Sequence, residues 1–188
     1  MHAHGIELFD VERIPTKGGS IRVFAQKENG PWPILSVVAE LLAAEQAARL
    51  DAGAPFPPFV ASIEDNKRSL RQELQKVIAG GGRVAGFGAS ATVTTLIAHF
   101  ELAPLLDYLV DDNPKRQGLY SPRFHLPVLS SALLHQRPPQ CVVILAWQYS
   151  ELILKRHRAF ARDGRFFVLP MPGVRRISEG ELDQKFGR

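Results

Sequence analysis

The sequence predicts an α/β domain whose parallel sheet is flanked by helices and preceded by a β-hairpin and two helices. Three observations support this fold class. Short apolar runs alternate with helical patterns from residue 83 onward, as in βαβ units. The runs are apolar throughout, which is typical of strands covered on both faces of a parallel sheet. The first run ends in Gly86-Phe87-Gly88, which predicts a tight turn between a strand and a helix.

Composition limits the classes of function. The chain has 188 residues, 45% hydrophobic and 22% charged, enough for one ordinary core and a normal surface. The formal net charge is +4, but the basic residues are scattered, which argues against nucleic-acid binding. No apolar run is long enough to span a membrane, and residues 1–5 carry no export signal. The single cysteine, Cys141, lies in an apolar run, so we expect a cytoplasmic protein with a buried free thiol.

The N-terminal part predicts a hairpin followed by two helices. Residues 6–13 and 20–26 alternate apolar and polar side chains across a turn-forming segment, so they are expected to pair as antiparallel strands. Residues 34–50 and 60–79 show the helical period of apolar side chains. Between them, the proline-rich segment 55–59 predicts a stiff connector.

The remaining elements follow in alternating order. Strands are expected at 83–87, 105–110, 126–129, 141–146 and 165–169, and helical segments at 91–100, 130–135 and 149–162. A long irregular loop is expected at 111–125, and a frayed tail after Ile177. The predicted segments are therefore the hairpin (1–30), a helical connector (31–82), the α/β domain (83–177) and the tail (178–188).

The glycine turn is a candidate ligand site. Backbone N–H groups and the positive end of a helix dipole are expected to meet at Gly86, Gly88, Ala89 and Ser90, where they would attract a phosphate or another anion. A dinucleotide-binding fingerprint would have a third glycine where this chain has Ala91. Close packing of strand and helix explains the same small residues equally well.

Further candidate ligand contacts follow the second strand. Asp111 ends that strand, where an acid can bind a ribose, although it also begins ordinary turn chemistry. The long loop that follows carries Asn113, Lys115, Gly118 and His125. Lys115 could pair with a phosphate, and His125 could donate a hydrogen bond or transfer a proton.

Three other observations bear on the chemistry. Trp147 follows the strand expected beside the first one, where it could stack on a base or sugar or close the core. Ser90 with His125 suggests a serine hydrolase, but Ser90 lacks the second flanking glycine of a nucleophile elbow. The other histidines lack metal-ligand spacing, so no metal site is predicted.

Five segments, taken in order, resemble the C-terminal domain of S-adenosylmethionine-dependent sugar C-methyltransferases. They are 86–91, 106–108 with 110–118, 125–128, 145–148 and 164–170. Residues 15–22 resemble the segment that closes the methyl-donor domain of that family. The resemblance therefore covers nearly the whole chain and implies a Rossmann-like fold for the α/β part.

The resemblance also implies a function. In that family a base removes the proton beside the ketone of a nucleotide-linked sugar, and the enolate carbon attacks the methyl group of the donor. This chain would then shape the nucleotide-sugar site, whereas S-adenosylmethionine would bind an upstream methyl-donor domain and not this chain alone. The chain would be a fragment or a naturally short homologue, inactive in isolation. His125 and Lys17 are candidates for catalysis, although the family has a histidine where this chain has Lys17.

Two other classes of function stay open on the sequence. The domain could be a stand-alone binding or assembly module for a nucleotide or a sugar phosphate. It could also be an NAD(P)-binding domain of the oxidoreductase type, against which Ala91 argues. Binding of a thymidine diphosphate sugar, S-adenosylmethionine or NAD distinguishes these classes.

Overall fold

The structure, a computed structural model, describes residues 4–53 and 55–187. The chain divides into two compact units, residues 1–61 and 62–188. Residues 1–3, which the export-signal prediction used, lie outside the described residues. So do Ala54 in the predicted helical connector (31–82) and Arg188 in the predicted tail.

The first unit contains the predicted hairpin and the first predicted helix. Strand β1 (Ile6–Ile14) pairs antiparallel with β2 (Ser20–Lys27), and Val11 lies opposite Val23. Helix α1 (Ser36–Ala47) packs against β1. Because an isolated two-stranded hairpin is marginally stable in water, α1 supplies apolar cover that the hairpin needs.

The second unit is built on a six-stranded sheet. Its strands are β3 (Val84–Phe87), β4 (Tyr108–Asp111), β5 (Val128–Ser130), β6 (Cys141–Ile144), β7 (Phe166–Leu169) and β8 (Arg175–Ile177). They lie in the order β5-β4-β3-β6-β7-β8, and every neighbouring pair is parallel except β7 and β8. This confirms the predicted α/β class with its largely parallel sheet. The three-residue antiparallel strand β8 was not predicted.

Helices cover both faces of this sheet. They are α2 (Phe56–Ala79), which begins in the first unit, α3 (Ala91–His99), α4 (Leu133–Gln136), α5 (Ser150–His157) and α6 (Glu179–Phe186). One apolar cluster includes Leu70 of α2 and Ile97 of α3. A second includes Leu134 of α4, Ile153 of α5 and Leu182 of α6.

The strands alternate between these two clusters. In β6, Cys141 and Val143 belong to the first cluster and Val142 and Ile144 to the second. Because successive side chains of a strand point to opposite faces, both faces of the sheet are buried, and this explains the uninterrupted apolar runs. The predicted buried thiol is also present: Cys141 is fully buried, and burial raises its pKa, so it stays protonated.

The predicted proline-rich connector is wrong, because α2 already begins at Phe56. Pro57 and Pro58 therefore lie in the first helical turn. The N–H groups of the first turn have no acceptor within the helix, so the missing N–H of a proline costs little there. Helix α2 is anchored in the second unit by Asn66, whose Nδ2 donates to the Pro172 carbonyl at 2.6 Å.

The frayed tail predicted after Ile177 is also wrong, because those residues form α6. Glu181 Oε2 accepts a hydrogen bond from the Ser178 N–H at 3.0 Å, which stabilises the start of the helix. Leu182 is 2% exposed and joins the second apolar cluster. Leu182, the partly buried Phe186 and the capping pair hold in place a segment whose composition is mostly polar.

Two kinds of feature are absent from the described residues. Across 4–53 and 55–187, no helix is both long and apolar enough to cross a membrane. The same residues contain no group of three or more histidine, cysteine, aspartate or glutamate side chains placed to hold a metal ion.

Candidate functional site

The turn between β3 and α3 is closely packed. A Cβ atom on Gly86 would lie 2.5 Å from Cδ1 of Leu145 and 2.7 Å from Cδ2 of Leu109. Gly88 has a φ of +113°, which residues with side chains rarely adopt, and a Cβ there would lie 2.9 Å from Cβ of Ala146. Both glycines are therefore needed to bring the turn against its neighbours, whatever the turn binds.

Asp111 fills the inner side of this turn. It is 6% exposed, and its Oδ2 accepts hydrogen bonds from the Ala89 N–H at 2.8 Å and from the Arg116 guanidinium at 2.9 Å. Its Oδ1 accepts a hydrogen bond from the Asn113 N–H at 2.8 Å. Both carboxylate oxygens are thus bound by protein donors at the position where the sequence suggested a contact to a ligand.

The loop after β4 is held by its own hydrogen bonds. Asn113 Oδ1 accepts from the Lys115 N–H at 3.0 Å, and Gln117 Nε2 donates to the Asp111 carbonyl at 2.9 Å. Gly118, with a φ of +79°, donates its N–H to the Val128 carbonyl at 2.8 Å. This arrangement leaves Asn113, Lys115 and Gly118 exposed beside the carboxyl ends of the strands.

Ser90 precedes the first turn of α3. Its backbone is extended, and Ala91 and Thr92, which follow it, are exposed. The unpaired amides and the positive dipole of a helix lie at this end. The Ser90 hydroxyl is 2.9 Å from that of Thr92, so it is paired with a threonine and not with a histidine. This arrangement does not support the serine hydrolase considered above.

Trp147 lies at the same edge of the sheet. It begins a short 3-10 turn that follows β6, the strand that pairs with β3, after Leu145 and Ala146. The Ala146 N–H donates to the Phe87 carbonyl at 3.0 Å, which ties this turn to the glycine turn. The indole is partly exposed. The structure thus brings together the segments that carry Ser90, Lys115 and Trp147.

The two candidate catalytic residues lie in different units. His125 is exposed, has a φ of +52° and donates its N–H to the Ser121 carbonyl at 3.1 Å. Lys17 is exposed in the turn between β1 and β2, with a φ of +55°. Residues with side chains seldom adopt a positive φ, so both lie at sharp turns of the backbone.

Sequence reasoning missed a polar cluster beside this edge. His157 of α5 is 5% exposed, and its Nε2 lies 3.3 Å from Oδ1 of Asp112. Arg156 contacts Oδ2 of the same carboxylate at 2.5 Å, and the His135 ring stacks on the His157 ring with centroids 5.8 Å apart. The only sequence signal was an aspartate pair after a strand and a histidine within a basic helix.

Burial and charge set the protonation of this cluster. Burial lowers the pKa of His157; His135 and Arg156 lower it further, while Asp112 opposes the shift. Burial raises the pKa of Asp112, but hydrogen bonds from Ser131 and Arg156, together with the electrostatic influence of His157 and Arg156, outweigh it, so that pKa is lowered overall. Near neutral pH a neutral imidazole therefore lies against an ionised carboxylate.

These features define a class of protein. A parallel sheet with a glycine turn after a central strand, and with polar residues from adjoining loops at its carboxyl edge, is the arrangement of a nucleotide-fold-like α/β domain. The family described as the C-methyltransferase C-terminal domain matches residues 15–172. The chain belongs to this family, as the resemblance implied.

A curated relative agrees with this assignment. The chain is 29% identical over 177 residues to the C-methyltransferase NovU of Streptomyces niveus. The match covers 94% of this chain and 42% of NovU, so the chain spans less than half the length of that relative.

Proposed function

We propose that the second unit binds a nucleotide-linked ketosugar at the carboxyl edge of its sheet, as the substrate site of a C-methyltransferase. The observation that carries the proposal is the convergence there of the α3 N-terminus at Ser90, the exposed Lys115 and the partly exposed Trp147. Open parallel sheets bind their ligands outside the carboxyl ends of the strands. Membership of the C-methyltransferase family supports a substrate site rather than a different use of the edge.

Each part of such a substrate has a chemically suitable neighbour. The diphosphate would lie near the positive end of α3 and the Lys115 ammonium, because both attract anions. Trp147 would stack on the base or the sugar. Asn113, Gly118 and His125 would make polar contacts from the loop. Gly86, Gly88 and Ala89 would contribute by shaping the turn.

The residues of this chain do not fit the methyl donor. The Ala89 amide already donates to the Asp111 carboxylate at 2.8 Å, so neither the amide of the glycine turn nor the acid that could bind a ribose is free for a donor at this position. We therefore propose that S-adenosylmethionine binds a separate methyl-donor domain and not this unit. The 42% share of NovU that the chain covers is compatible with that division. The chain by itself is expected not to transfer methyl groups.

Isothermal titration calorimetry tests the proposal. A thymidine diphosphate sugar should give saturable heat, whereas S-adenosylmethionine and NAD should give none. Heat with NAD would favour a dinucleotide-binding domain, and silence with all three would favour an assembly module without this ligand. Transfer of a labelled methyl group from S-adenosylmethionine by this polypeptide alone would overturn the assignment of the donor to another domain.

A further inference from the structure

We propose that Asp111 is a positioning residue whose carboxylate acts as a built-in anion, holding the glycine turn against the loop that carries Asn113 and Lys115. Its three donors are the Ala89 N–H, the Asn113 N–H and the Arg116 guanidinium, and we call them the donor cluster. The proposal deepens the function proposed above. Only its consequence for substrate binding rests on that function.

The donor cluster joins separate parts of the chain. Ala89 lies 22 residues before Asp111, in the turn that leads into α3, whereas Asn113 and Arg116 lie in the loop after β4. No backbone ladder joins the end of the glycine turn to that loop, because the β3–β4 register stops at Phe87 and Val110 and the last backbone link is Gly88 N–H to the Val110 carbonyl. Beyond the sheet, the Asp111 carboxylate therefore links the glycine turn to the loop after β4.

The chemistry of the donor cluster is that of an anion site. Two backbone amides and a guanidinium converge within 2.9 Å of one carboxylate, which is 8% exposed at its side chain. Hydrogen bonds to a charged acceptor are stronger than those between neutral groups, and more so where water is excluded. Without an anion, these partly buried donors would lose their acceptor, and the free-energy cost grows with the extent to which water is kept from replacing it.

The arrangement has a consequence for ligands. In dinucleotide-binding domains the amides of the glycine turn are available to a pyrophosphate. Here the Ala89 amide is taken by Asp111. An external phosphate must therefore bind farther out, toward Ser90 and Lys115, and Asp111 controls where that site lies without touching the ligand.

Chemical rescue tests the proposal. Asp111→Ala should lower the melting temperature of the full chain by on the order of 10 °C, because charged hydrogen bonds at three donors are lost. Formate, a carboxylate small enough for the vacated space, should restore part of that loss in proportion to the logarithm of its concentration. Sodium chloride at equal ionic strength should restore less.

Two variants separate this rescue from general effects of salt. Asp111→Asn keeps the side-chain volume, so formate has no space to enter and should not raise its melting temperature beyond the effect on the wild type. Asp107→Ala removes an exposed aspartate that pairs with Arg83 at 3.1 Å, and should change stability little and show no rescue. A similar response to formate in all variants, or an Asp111→Ala melting temperature equal to that of the wild type, would overturn the proposal.

If Asp111→Ala does not fold in plain buffer, the yield of folded protein after refolding in formate or in chloride tests the same proposal. The proposal then expects formate, but not chloride, to increase the yield of folded protein, and equal yields count against it. Binding of a thymidine diphosphate sugar is a separate readout: the variant should lose it and regain it in formate. A wild type that binds no sugar nucleotide would contradict the proposed function, whereas the rescue of stability would still decide the role of Asp111.

Discussion

The Nε2 atom of His157 lies 3.3 Å from Oδ1 of Asp112, and the histidine is 5% exposed. The geometry falls short of a hydrogen bond, so both ring nitrogens lack a hydrogen-bond partner among the described residues. Asp112 also contacts Arg156, and His135 stacks on the imidazole. A buried neutral histidine is therefore surrounded by one carboxylate, one guanidinium and a second imidazole.

This arrangement predicts a pH dependence of stability. The pKa of folded His157 is lowered, so its contribution is fully present above the pKa of an unfolded histidine, about 6.5, and is lost as the pH falls toward the folded value. The free energy of unfolding, measured with urea, should fall between about pH 7 and pH 5 in the wild type. In His157→Leu it should change less steeply with pH. His99→Leu, at an exposed position, should keep the wild-type slope. Equal slopes in all three proteins would refute the assignment.

The packing of Gly88 predicts a strongly destabilising substitution. In Gly88→Ala the new Cβ would clash with Ala146 at 2.9 Å and keep an unfavourable φ of +113°, so the free energy of unfolding should fall by about 3 kcal/mol. Gly118→Ala is the matched control, because its φ is also positive but its Cβ would meet nothing within 4 Å. Its loss should be about 1 kcal/mol. Chemical denaturation measures both, and equal losses would show that backbone strain alone explains the glycine.

Replacement of Tyr108 by phenylalanine is expected to stabilise the protein. The tyrosine ring is buried, and its hydroxyl has no hydrogen-bond partner among the described residues. Tyr108→Phe removes a buried polar group without a partner, so the free energy of unfolding should rise by about 1 kcal/mol. Tyr120→Phe, at an exposed tyrosine, should change it by less than about 0.5 kcal/mol. A clear loss in Tyr108→Phe would mean that the hydroxyl has a partner, such as a buried water.

Removal of the Lys115 side chain is expected to weaken binding of a sugar nucleotide without changing stability. This side chain is exposed at the carboxyl edge of the sheet. Lys115→Ala should weaken binding of a thymidine diphosphate sugar by about tenfold and leave the melting temperature unchanged, because an exposed charge mainly attracts the ligand. Lys76→Ala, in the last turn of α2 just before β3, removes the same charge near the amino edge and should bind normally. Equal affinities for both variants would place the phosphates elsewhere.

Local patterns were sufficient to predict most of the fold. Alternating side chains predicted β1 and β2, and apolar runs predicted the five parallel strands. Strand β8 and helix α6 were missed because both are short and polar, and their stability comes from contacts with the sheet that composition does not reveal. The proline-rich start of α2 was misjudged because the first helical turn tolerates proline.

The placement of the candidate residues at one edge of the sheet was predictable from the sequence, but their contacts were not. The glycine turn and the end of β4 pointed to the carboxyl edge. The partners of Asp111 could not be inferred, because Ala89 is 22 residues away and contributes only its backbone amide. The contact between Asp112 and His157 joins the loop after β4 to α5, and no sequence spacing predicts it.

The central claim is that a sugar nucleotide binds beside Trp147, and tryptophan fluorescence tests it most directly. The chain has two tryptophans, of which Trp32 lies in the first unit stacked on Phe9. In Trp32→Phe, where Trp147 is the sole reporter, a thymidine diphosphate sugar should change the emission saturably. In Trp147→Phe, the remaining Trp32 should not respond. A response from Trp32 alone, or none from Trp147 up to millimolar ligand, would contradict the account.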